Sequence, residues 1–152
     1  MVRIKTKSEQ QTEALGQTLA GVLPDRCLVF LKGDLGAGKT AFARGVARGL
    51  GIERNVASPT FTLVNEYQGR VGRLVHMDLY RVLGQPLDEL GLDDYFTQPG
   101  VCLVEWPDAL ERWERPDVVV QIAAVQETER LFTITAAEAL EQKVKEALPC
   151  AF

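Results

Sequence analysis

Short apolar runs alternate along the chain with stretches that have helical periodicity. The run CLVFLK, just before a cluster of glycines, and the later run VCLVE carry apolar residues on both faces, which predicts fully buried strands. Two other runs flank the turn-forming stretch QGRVG and predict a β-hairpin. The predicted strands span 27–32, 61–67, 73–78, 101–105, 117–125 and 130–135.

Capping signals and periodicity predict helices between these strands. Ser8 with Gln11, and also Thr6 with Glu9, fit a capping box, so a helix is expected to start there and to run to about Val22. Strands that alternate with helices predict an α/β fold with a central mixed, mostly parallel sheet flanked by helices. The other predicted helices lie at 40–50, near 87–90 and at 136–148.

The composition limits the class of protein. The 152 residues are enough for one domain with a hydrophobic core, and no repeat or linker divides them, so a single domain is predicted over 1–152. A hydrophobic fraction of 46% and a charged fraction of 25% are typical of soluble globular proteins. The formal charge of −4 argues against a protein whose main task is to neutralise nucleic-acid phosphates, so no direct partnership with DNA is expected.

Neither a secretory signal nor a membrane span is indicated. The first residues, MVRIKTK, lack the apolar stretch of a signal peptide, and no apolar run reaches the roughly 18–20 residues that cross a bilayer. A cytoplasmic location is therefore predicted. The cysteines form no CxxC pair, and Cys27 and Cys102 are expected to be buried. The single histidine, His76, is expected to lie in the core or to support site residues rather than to catalyse.

The glycine cluster GDLGAGKT, at 33–40, matches the phosphate-binding P-loop pattern G-x-x-x-x-G-K-[ST]. Glycines let the backbone approach phosphate oxygens, and the helix that follows adds unpaired N–H groups and the positive end of its dipole. Lys39 is expected to reach the β- and γ-phosphates, and the Thr40 hydroxyl is expected to bind Mg²⁺. Because a predicted strand precedes the loop and a predicted helix follows it, the sequence indicates a P-loop NTPase.

Two carboxylates that end apolar strands are candidates to act at the metal. Asp78 ends LVHMD and Glu105 ends VCLVE. One can hold the magnesium shell while the other orients the attacking water, and the more uniformly apolar strand before Glu105 favours Glu105 as the metal ligand. Because the guanine-reading N-K-x-D segment is absent from the sequence, ATP is favoured over GTP.

Four sequence blocks together resemble one protein family. They are GDLGAGKT, SPTFTLVNEY at 58–67, HMDLYR at 76–81 and LVEWPD at 103–108. Their order and spacing are similar to those of the bacterial tRNA threonylcarbamoyladenosine biosynthesis proteins of the TsaE family, from about Glu9 to Arg130. The resemblance implies an ATPase that assists the TsaB–TsaD complex in making N6-threonylcarbamoyladenosine at position 37 of tRNA. It implies that tRNA is reached only through that complex.

The resemblance also implies roles for individual residues. On the family's pattern Thr40 and Glu105 bind magnesium, and Asp78 is the second acid, near the metal and the attacking water. Catalytic roles are implied for the P-loop lysine and Asp78, and for Thr60 and Thr62 in a switch-like segment near the γ-phosphate. The implied nucleotide-binding residues are Glu9, Gly33, Asp34, Leu35, Gly36, Ala37, Gly38, Lys39, Thr40, Ala41 and Arg130.

Some questions stay open at the level of sequence. Trp106 could stack on a partner, support Glu105 or fill the core, and Pro107 favours an extended backbone before it. A small-metabolite kinase is a second candidate function, although the acidic insertion at 83–100 contains no arginine to bind an acceptor. An ATP-binding module without turnover is a third. Because few arginines are placed to reach a γ-phosphate, slow turnover alone and acceleration by a protein partner are expected.

Overall fold

The computed structural model describes residues 1–34, 36–86 and 91–148. The strands are β1 (Val2–Thr6), β2 (Arg26–Lys32), β3 (Val64–Gln68), β4 (Arg73–Asp78), β5 (Gly100–Glu105), β6 (Val118–Ala124) and β7 (Arg130–Ala136). The α-helices are α1 (Glu9–Ala20), α2 (Lys39–Gly49), α3 (Asp93–Thr97) and α4 (Glu138–Ala147). Short 3₁₀ helices span Tyr80–Val82 and Pro107–Ala109.

The seven strands form one sheet in the order β1-β7-β6-β2-β5-β4-β3. At its centre β6, β2, β5 and β4 pair in parallel, whereas the hairpins β3–β4 and β6–β7 and the β1–β7 pair are antiparallel. The predicted α/β fold with a mixed sheet and flanking helices is confirmed. Within the described residues, parallel pairs occupy the centre of the sheet and account for half of the strand pairs rather than for most of them. The other pairs are antiparallel and lie at the two sides of the sheet.

β1 is a strand that a search for continuous apolar runs does not predict. It alternates inward and outward residues, and Val2 and Thr6 are its buried ends. It pairs antiparallel to β7, with Val2 opposite Ile134 and Thr6 opposite Arg130. Such alternation is typical of an edge strand with one face on the core. The basic N-terminal segment is therefore part of the sheet.

The two faces of the sheet are covered by different elements. α1, α2 and α4 pack on one face around a core that includes Leu15, Phe42 and Phe132. Residues of α3 and of the connections beside the 3₁₀ helices cover the other face, around Phe30 and Leu92. Because β2 and β5 are buried on both sides, their apolar runs are continuous. The buried strands predicted from those runs are confirmed.

α1 and α2 pack against each other at glycine contacts. A Cβ atom on Gly45 would lie 2.0 Å from the Glu13 carbonyl oxygen, and one on Gly49 would lie 2.7 Å from the Gln17 carbonyl oxygen. Only glycine permits backbones to approach this closely. Since the contacts advance in the same direction along both helices, their N-termini lie at the same end of the pair. This arrangement brings the start of α1 to the loop that precedes α2.

The helix starts follow the capping signals. The Ser8 hydroxyl accepts a hydrogen bond from the Gln11 N–H at 3.1 Å, and the Gln11 side chain accepts one from the Lys7 N–H at 2.8 Å. α1 therefore begins as predicted, and it ends slightly early, at Ala20. α2 and α4 lie where helices are predicted. Among the helices of the described residues, none is long and apolar enough to cross a membrane.

Other boundaries differ from the prediction. β3 begins at Val64 because residues 59–63 form a turn, in which the Leu63 N–H donates to the Pro59 carbonyl at 2.8 Å. α3 lies in the Pro- and Gly-punctuated region 83–100, where no helix is predicted at its position. The helix predicted near 87–90 falls outside the described residues.

Both predicted core cysteines are buried. Burial raises the pKa of the Cys27 thiol to about 12 and that of the Cys102 thiol to about 11. At neutral pH both thiols are therefore protonated and pack as small apolar groups. The expectation that these two cysteines serve the core is confirmed.

Candidate functional site

A cavity of about 500 Å³ lies at the edge of the sheet where central parallel strands end. β4 ends there at Asp78 and β5 ends there at Glu105, and the loop after β2 leads into α2. Its walls come from the start of α1, the P-loop, the start of α2, the segment 58–60, the two strand ends and the turn between β6 and β7. Since parallel strands end at one edge, residues far apart in sequence meet here.

The glycine loop wraps around one end of the cavity. Gly36 has a φ of 80° and Gly38 a φ of 105°, conformations that residues with a Cβ atom rarely adopt. α2 starts directly after the loop, and the Phe42 N–H donates to the Gly38 carbonyl at 3.0 Å. The N–H groups of residues 39–41 precede that bond and have no acceptor within the helix. They lie at the positive end of the α2 dipole, which favours an anion.

Lys39 has a buried ammonium group at this end of the cavity. Its side chain is 6% exposed, and among the described residues its Nζ has no hydrogen-bond partner. Nζ lies 3.8 Å from Glu105 Oε1 and 4.3 Å from the centroid of the Trp106 ring. These contacts stabilise the charge without satisfying its N–H donors. A buried charged donor without an acceptor is costly, so this nitrogen is poised to bind an anion.

Glu105 is held in place by a buried histidine. His76 is fully buried, and its Nε2 lies 2.6 Å from Glu105 Oε2. Because a carboxylate only accepts hydrogen bonds, Nε2 carries the proton and donates it. Nδ1 has no hydrogen-bond partner in the described part of the chain. The expectation that His76 supports a site residue agrees with this contact, which leaves Glu105 Oε1 turned toward Lys39.

Asp78 and Glu105 lie side by side, in register on β4 and β5. Asp78 Oδ1 accepts a hydrogen bond from the Tyr80 N–H at 3.0 Å, and Oδ2 accepts one from the Thr60 hydroxyl at 3.0 Å. The Ser58 hydroxyl lies 2.7 Å from the same Thr60 oxygen. Both carboxylates are buried, and each has a defined orientation.

Most of the predicted site residues meet in this cavity. Its lining also includes Thr12 of α1 and Glu127 and Thr128 of the turn between β6 and β7, which the sequence did not single out. Nothing local in the sequence around these residues indicates that they fold onto the P-loop. The predicted residues that line the cavity are Glu9, Gly36, Gly38, Lys39, Thr40, Ala41, Thr60, Asp78, Glu105 and Arg130. Leu35 lies outside the described residues.

Gly33, Asp34 and Ala37 line a second hollow, of about 510 Å³, at the back of the P-loop. A Cβ atom on Gly33 would lie 2.9 Å from the Ile122 carbonyl oxygen, so glycine permits close packing against β6. The Ala37 N–H donates to the Asp34 carbonyl at 3.0 Å. In this structure these residues shape the loop from behind, and their nucleotide contacts stay a prediction.

Thr62 is not among the residues that line the cavity, so its expected place near a γ-phosphate stays a prediction. It is exposed, and its hydroxyl donates to Asn65 Oδ1 at 2.7 Å. If the chain were extended from residue 60 into the strand predicted over 61–67, Thr62 would lie on the same face as Thr60. Instead the chain turns at 59–63, where Leu63 has a φ of 70°. The turn directs Thr60 to Asp78 and leaves Thr62 in solvent.

Glu9 and Arg130 line the cavity, but both are engaged with protein groups. Glu9 pairs with Arg44 at the start of the α1–α2 contact. Arg130 donates from Nε to the Ala37 carbonyl at 2.9 Å and from Nη2 to the Gly36 carbonyl at 3.3 Å. Arg130 thus ties the β6–β7 turn to the P-loop, a role that the expected nucleotide contact did not include. Its Nη1 donates to the carbonyls of Gln126, Glu127 and Glu129.

Trp106 belongs to the site wall. Its ring lines the cavity, where it lies against Lys39, and its centroid is 5.0 Å from that of the Tyr80 ring. Its backbone is left-handed, with φ 55° and ψ 57°, and not extended as Pro107 favours. A left-handed conformation costs roughly 1–2 kcal/mol in a residue with a Cβ atom. The contacts of the ring with Lys39 and Tyr80 help to offset that cost.

The oxygen atoms at the strand ends suit a magnesium ion that is bound partly by phosphate and water. They do not suit a metal ion that is bound by protein side chains alone. Within the described residues, no group of three or more His, Cys, Asp or Glu side chains could hold a metal ion. Thr40, Asp78 and Glu105 instead line the same cavity as the P-loop. Mg²⁺ typically takes one or two carboxylates together with phosphate oxygens and waters, which matches this donor set.

Comparisons with known proteins agree with the fold and show the family. The family model described as "Threonylcarbamoyl adenosine biosynthesis protein TsaE" matches residues 6–132. The tRNA threonylcarbamoyladenosine biosynthesis protein TsaE of Bacillus subtilis is 44% identical over 132 residues, which are 85% of this chain and 83% of that protein. The Aquifex aeolicus protein of the same name is 38% identical over 126 residues, 82% of this chain and 88% of that protein. The crystal structure of Bacillus subtilis YdiB is similar with a TM-score of 0.81 and 37% identity, over 95% of this chain and 94% of that chain.

Proposed function

Because the chain belongs to the TsaE family of threonylcarbamoyl adenosine biosynthesis proteins, we propose that it acts in tRNA threonylcarbamoyladenosine biosynthesis as a magnesium-dependent ATPase. The proposal that the chain binds ATP rests on the buried ammonium group of Lys39 at the start of α2, which has no hydrogen-bond partner among the described residues. An ammonium placed between a glycine loop and a helix N-terminus needs an anionic ligand with several acceptor oxygens. The phosphates of a nucleotide meet that need.

ATP fits the cavity with its phosphates at the P-loop. The N–H groups of residues 39–41 donate to phosphate oxygens, and Lys39 turns from Trp106 to the β- and γ-phosphates. The start of α1 and the β6–β7 turn are left as walls for the nucleoside. A cavity of about 500 Å³ lies within the size range of sites for ligands of this kind.

Thr40 and Glu105 are the residues that would hold magnesium. His76 occupies Glu105 Oε2, so Oε1 is the oxygen available to the metal. Thr40 lines the cavity one position after Lys39 and contributes a neutral hydroxyl oxygen. When bound, the ion would supply positive charge that neutralises the charge developing on the phosphate oxygens during transfer.

To Asp78 we assign the orientation of the attacking water. Tyr80 and Thr60 each donate one hydrogen bond to it, and a carboxylate oxygen can accept more than one. A water that donates to Asp78 is held beside Glu105 and the phosphate end of the cavity. It attacks the γ-phosphorus while the bond to the bridging oxygen breaks.

Assistance to the TsaB–TsaD complex is the use that we propose for this hydrolysis. Family membership supports it, and so does the observation that the arginines in the described lining are already bonded to protein groups. Arg44 pairs with Glu9 and Glu13, and Arg130 is bonded to backbone carbonyls. A partner that closes the site or supplies a cation would therefore raise the rate. The tRNA would be reached through that complex.

Phosphate release by the purified chain, with and without Mg²⁺ and the TsaB–TsaD complex, tests the proposal. We expect slow magnesium-dependent release that the complex accelerates. Lys39→Ala and Thr40→Ala should each abolish it, whereas Lys143→Ala, which removes an exposed lysine of α4, should not. Phosphate transfer to a small acceptor would instead indicate a metabolite kinase. ATP binding without turnover, with or without the complex, would indicate a binding module.

A further inference from the structure

Arg81, on the 3₁₀ helix after β4, reaches across to the turn at 58–63. Its Nη1 donates to the Phe61 carbonyl at 2.9 Å and to the Thr60 carbonyl at 3.4 Å. Its guanidinium carbon lies 5.9 Å from the centroid of the Phe61 ring. The side chain is exposed and lies outside the described lining of the cavity. Arg81 therefore contacts the turn from its solvent side.

Packing supports the two ends of the 58–63 turn but not its middle. Pro59 is buried near the start and Leu63 packs at the end against the core around Phe30, whereas Phe61 between them is 86% exposed. Leu63 has a φ of 70°, a conformation that a residue with a Cβ atom keeps only where its surroundings enforce it. The packing of Leu63 and polar contacts together supply that enforcement, and the contacts to Arg81 are among those that reach the turn from another element.

The turn is connected to the site through Thr60. The Thr60 hydroxyl donates to Asp78 Oδ2 at 3.0 Å, and Asp78 and Arg81 lie three positions apart on the same short stretch. That stretch therefore holds the turn in three ways. The Asp78 carboxylate accepts from the Thr60 hydroxyl, the Asp78 N–H donates to the Leu63 carbonyl at 3.0 Å, and Arg81 donates to the carbonyls of Thr60 and Phe61. A guanidinium suits these last two carbonyls because it is always charged and presents its donors in a fixed plane.

We propose that Arg81 is a positioning residue that fixes the 58–63 turn against the end of β4, so that Thr60 and Asp78 keep the orientation that hydrolysis requires. The catalytic part of this role rests on the proposed ATPase function. Arg81 acts through Thr60 and does not bind the nucleotide itself. Its loss should therefore lower turnover while nucleotide affinity, which depends on the P-loop, is kept.

Backbone hydrogen–deuterium exchange of the full chain without nucleotide tests whether Arg81 holds the turn. Arg81→Met removes the donors at similar side-chain length, and Arg81→Lys keeps one charged donor. We expect exchange at 58–63 to be about 5- to 30-fold faster in Arg81→Met, with an intermediate rate in Arg81→Lys. Arg115→Met, which removes an exposed arginine outside the described lining, should match the unmodified chain. Unchanged exchange at 58–63 in Arg81→Met would overturn the inference.

Steady-state ATP hydrolysis by the same variants tests the catalytic part. In Arg81→Met we expect kcat to fall about 5- to 30-fold with KM nearly unchanged, and Arg81→Lys should recover part of the loss. Melting temperatures should stay near that of the unmodified chain. A higher KM at unchanged kcat would show that Arg81 binds nucleotide, and an unchanged kcat and KM would overturn the catalytic part. If the unmodified chain hydrolyses no ATP even with its partners, the proposed function and the catalytic part fail together, while the exchange data still decide whether Arg81 holds the turn.

Discussion

His76 and Glu105 form a buried pair that leaves one oxygen free for a ligand. Nε2 holds Oε2 at 2.6 Å, whereas Lys39 Nζ stands 3.8 Å from Oε1 and makes no hydrogen bond to it. A residue that holds one atom of a metal ligand fixes the direction of the other atom. The geometry of the proposed magnesium site therefore depends on a histidine that does not reach the metal.

His76→Leu should raise the magnesium concentration required for half-maximal hydrolysis by about 10-fold or more, because Glu105 loses the donor that orients it. His76→Gln keeps an N–H donor near the Nε2 position and should recover much of the loss. Magnesium titrations of the hydrolysis rate compare the two variants, and melting temperatures check that both are folded. An identical magnesium requirement in His76→Leu and His76→Gln would contradict the orienting role.

Replacing Glu105 and replacing Asp78 by the corresponding amide should have different effects, one on magnesium-dependent binding and the other on turnover. Glu105→Gln should weaken magnesium-dependent nucleotide binding, because it removes the charge that faces the ion. Asp78→Asn should leave binding nearly intact and lower turnover by about 100-fold, because the attacking water loses its acceptor. Titration of a fluorescent ATP analogue at several magnesium concentrations, together with single-turnover rates, distinguishes the two effects. The reverse pattern would exchange the two roles.

At the level of elements, the α1–α2 pair brings the first helix to the P-loop. Gly45→Ala should lower the free energy of unfolding by about 1–3 kcal/mol, because its Cβ atom would meet the Glu13 backbone. Gly21→Ala is a matched control, since its φ of −69° suits alanine and the nearest atom, the Thr18 carbonyl oxygen, is 3.4 Å away. It should be neutral or slightly stabilising. Denaturant unfolding measures both, and equal stability of the two variants would contradict the close helix contact.

The β6–β7 turn and the P-loop are joined by Arg130. Arg130→Met should lower nucleotide affinity by about 10-fold, because the Gly36 and Ala37 carbonyls lose their shared donor and the loop is less well ordered before binding. Hydrogen exchange at 33–38 should increase in the same variant without nucleotide. An affinity loss without faster exchange would instead favour a direct contact between Arg130 and the nucleotide.

At the scale of the whole molecule, the site is an open cavity whose lining arginines, within the described residues, are already engaged. The TsaB–TsaD complex should therefore raise the rate of phosphate release by at least 10-fold, since one well-placed arginine contributes about 10³–10⁵ in related reactions. Bare tRNA should have little effect, because a net charge of −4 gives weak attraction to RNA. Rates measured alone, with the complex and with tRNA check this. An ordinary enzymatic rate for the chain alone, unchanged by the complex, would contradict it.

Much of the fold and the centre of the candidate site could be predicted because their signals are local. The P-loop depends on glycines, a lysine and a threonine at fixed spacing within a few residues. A strand buried on both faces is an apolar run whatever its neighbours are, and Asp78 and Glu105 were identified because each ends such a run. Residue type and short-range spacing were sufficient for these features.

The tertiary structure decided which of these residues face one another and which leave the site. His76 meets Glu105 across 29 positions, and Arg130 meets Ala37 across 93. Whether Thr60 or Thr62 enters the cavity depends on a turn whose backbone is held from β4 and its 3₁₀ helix. Such contacts arise from the order of strands in the sheet and from the approach of helices at glycines. The sequence by itself determined the chemistry that each segment carries, whereas the packing of distant segments decided how that chemistry is assembled.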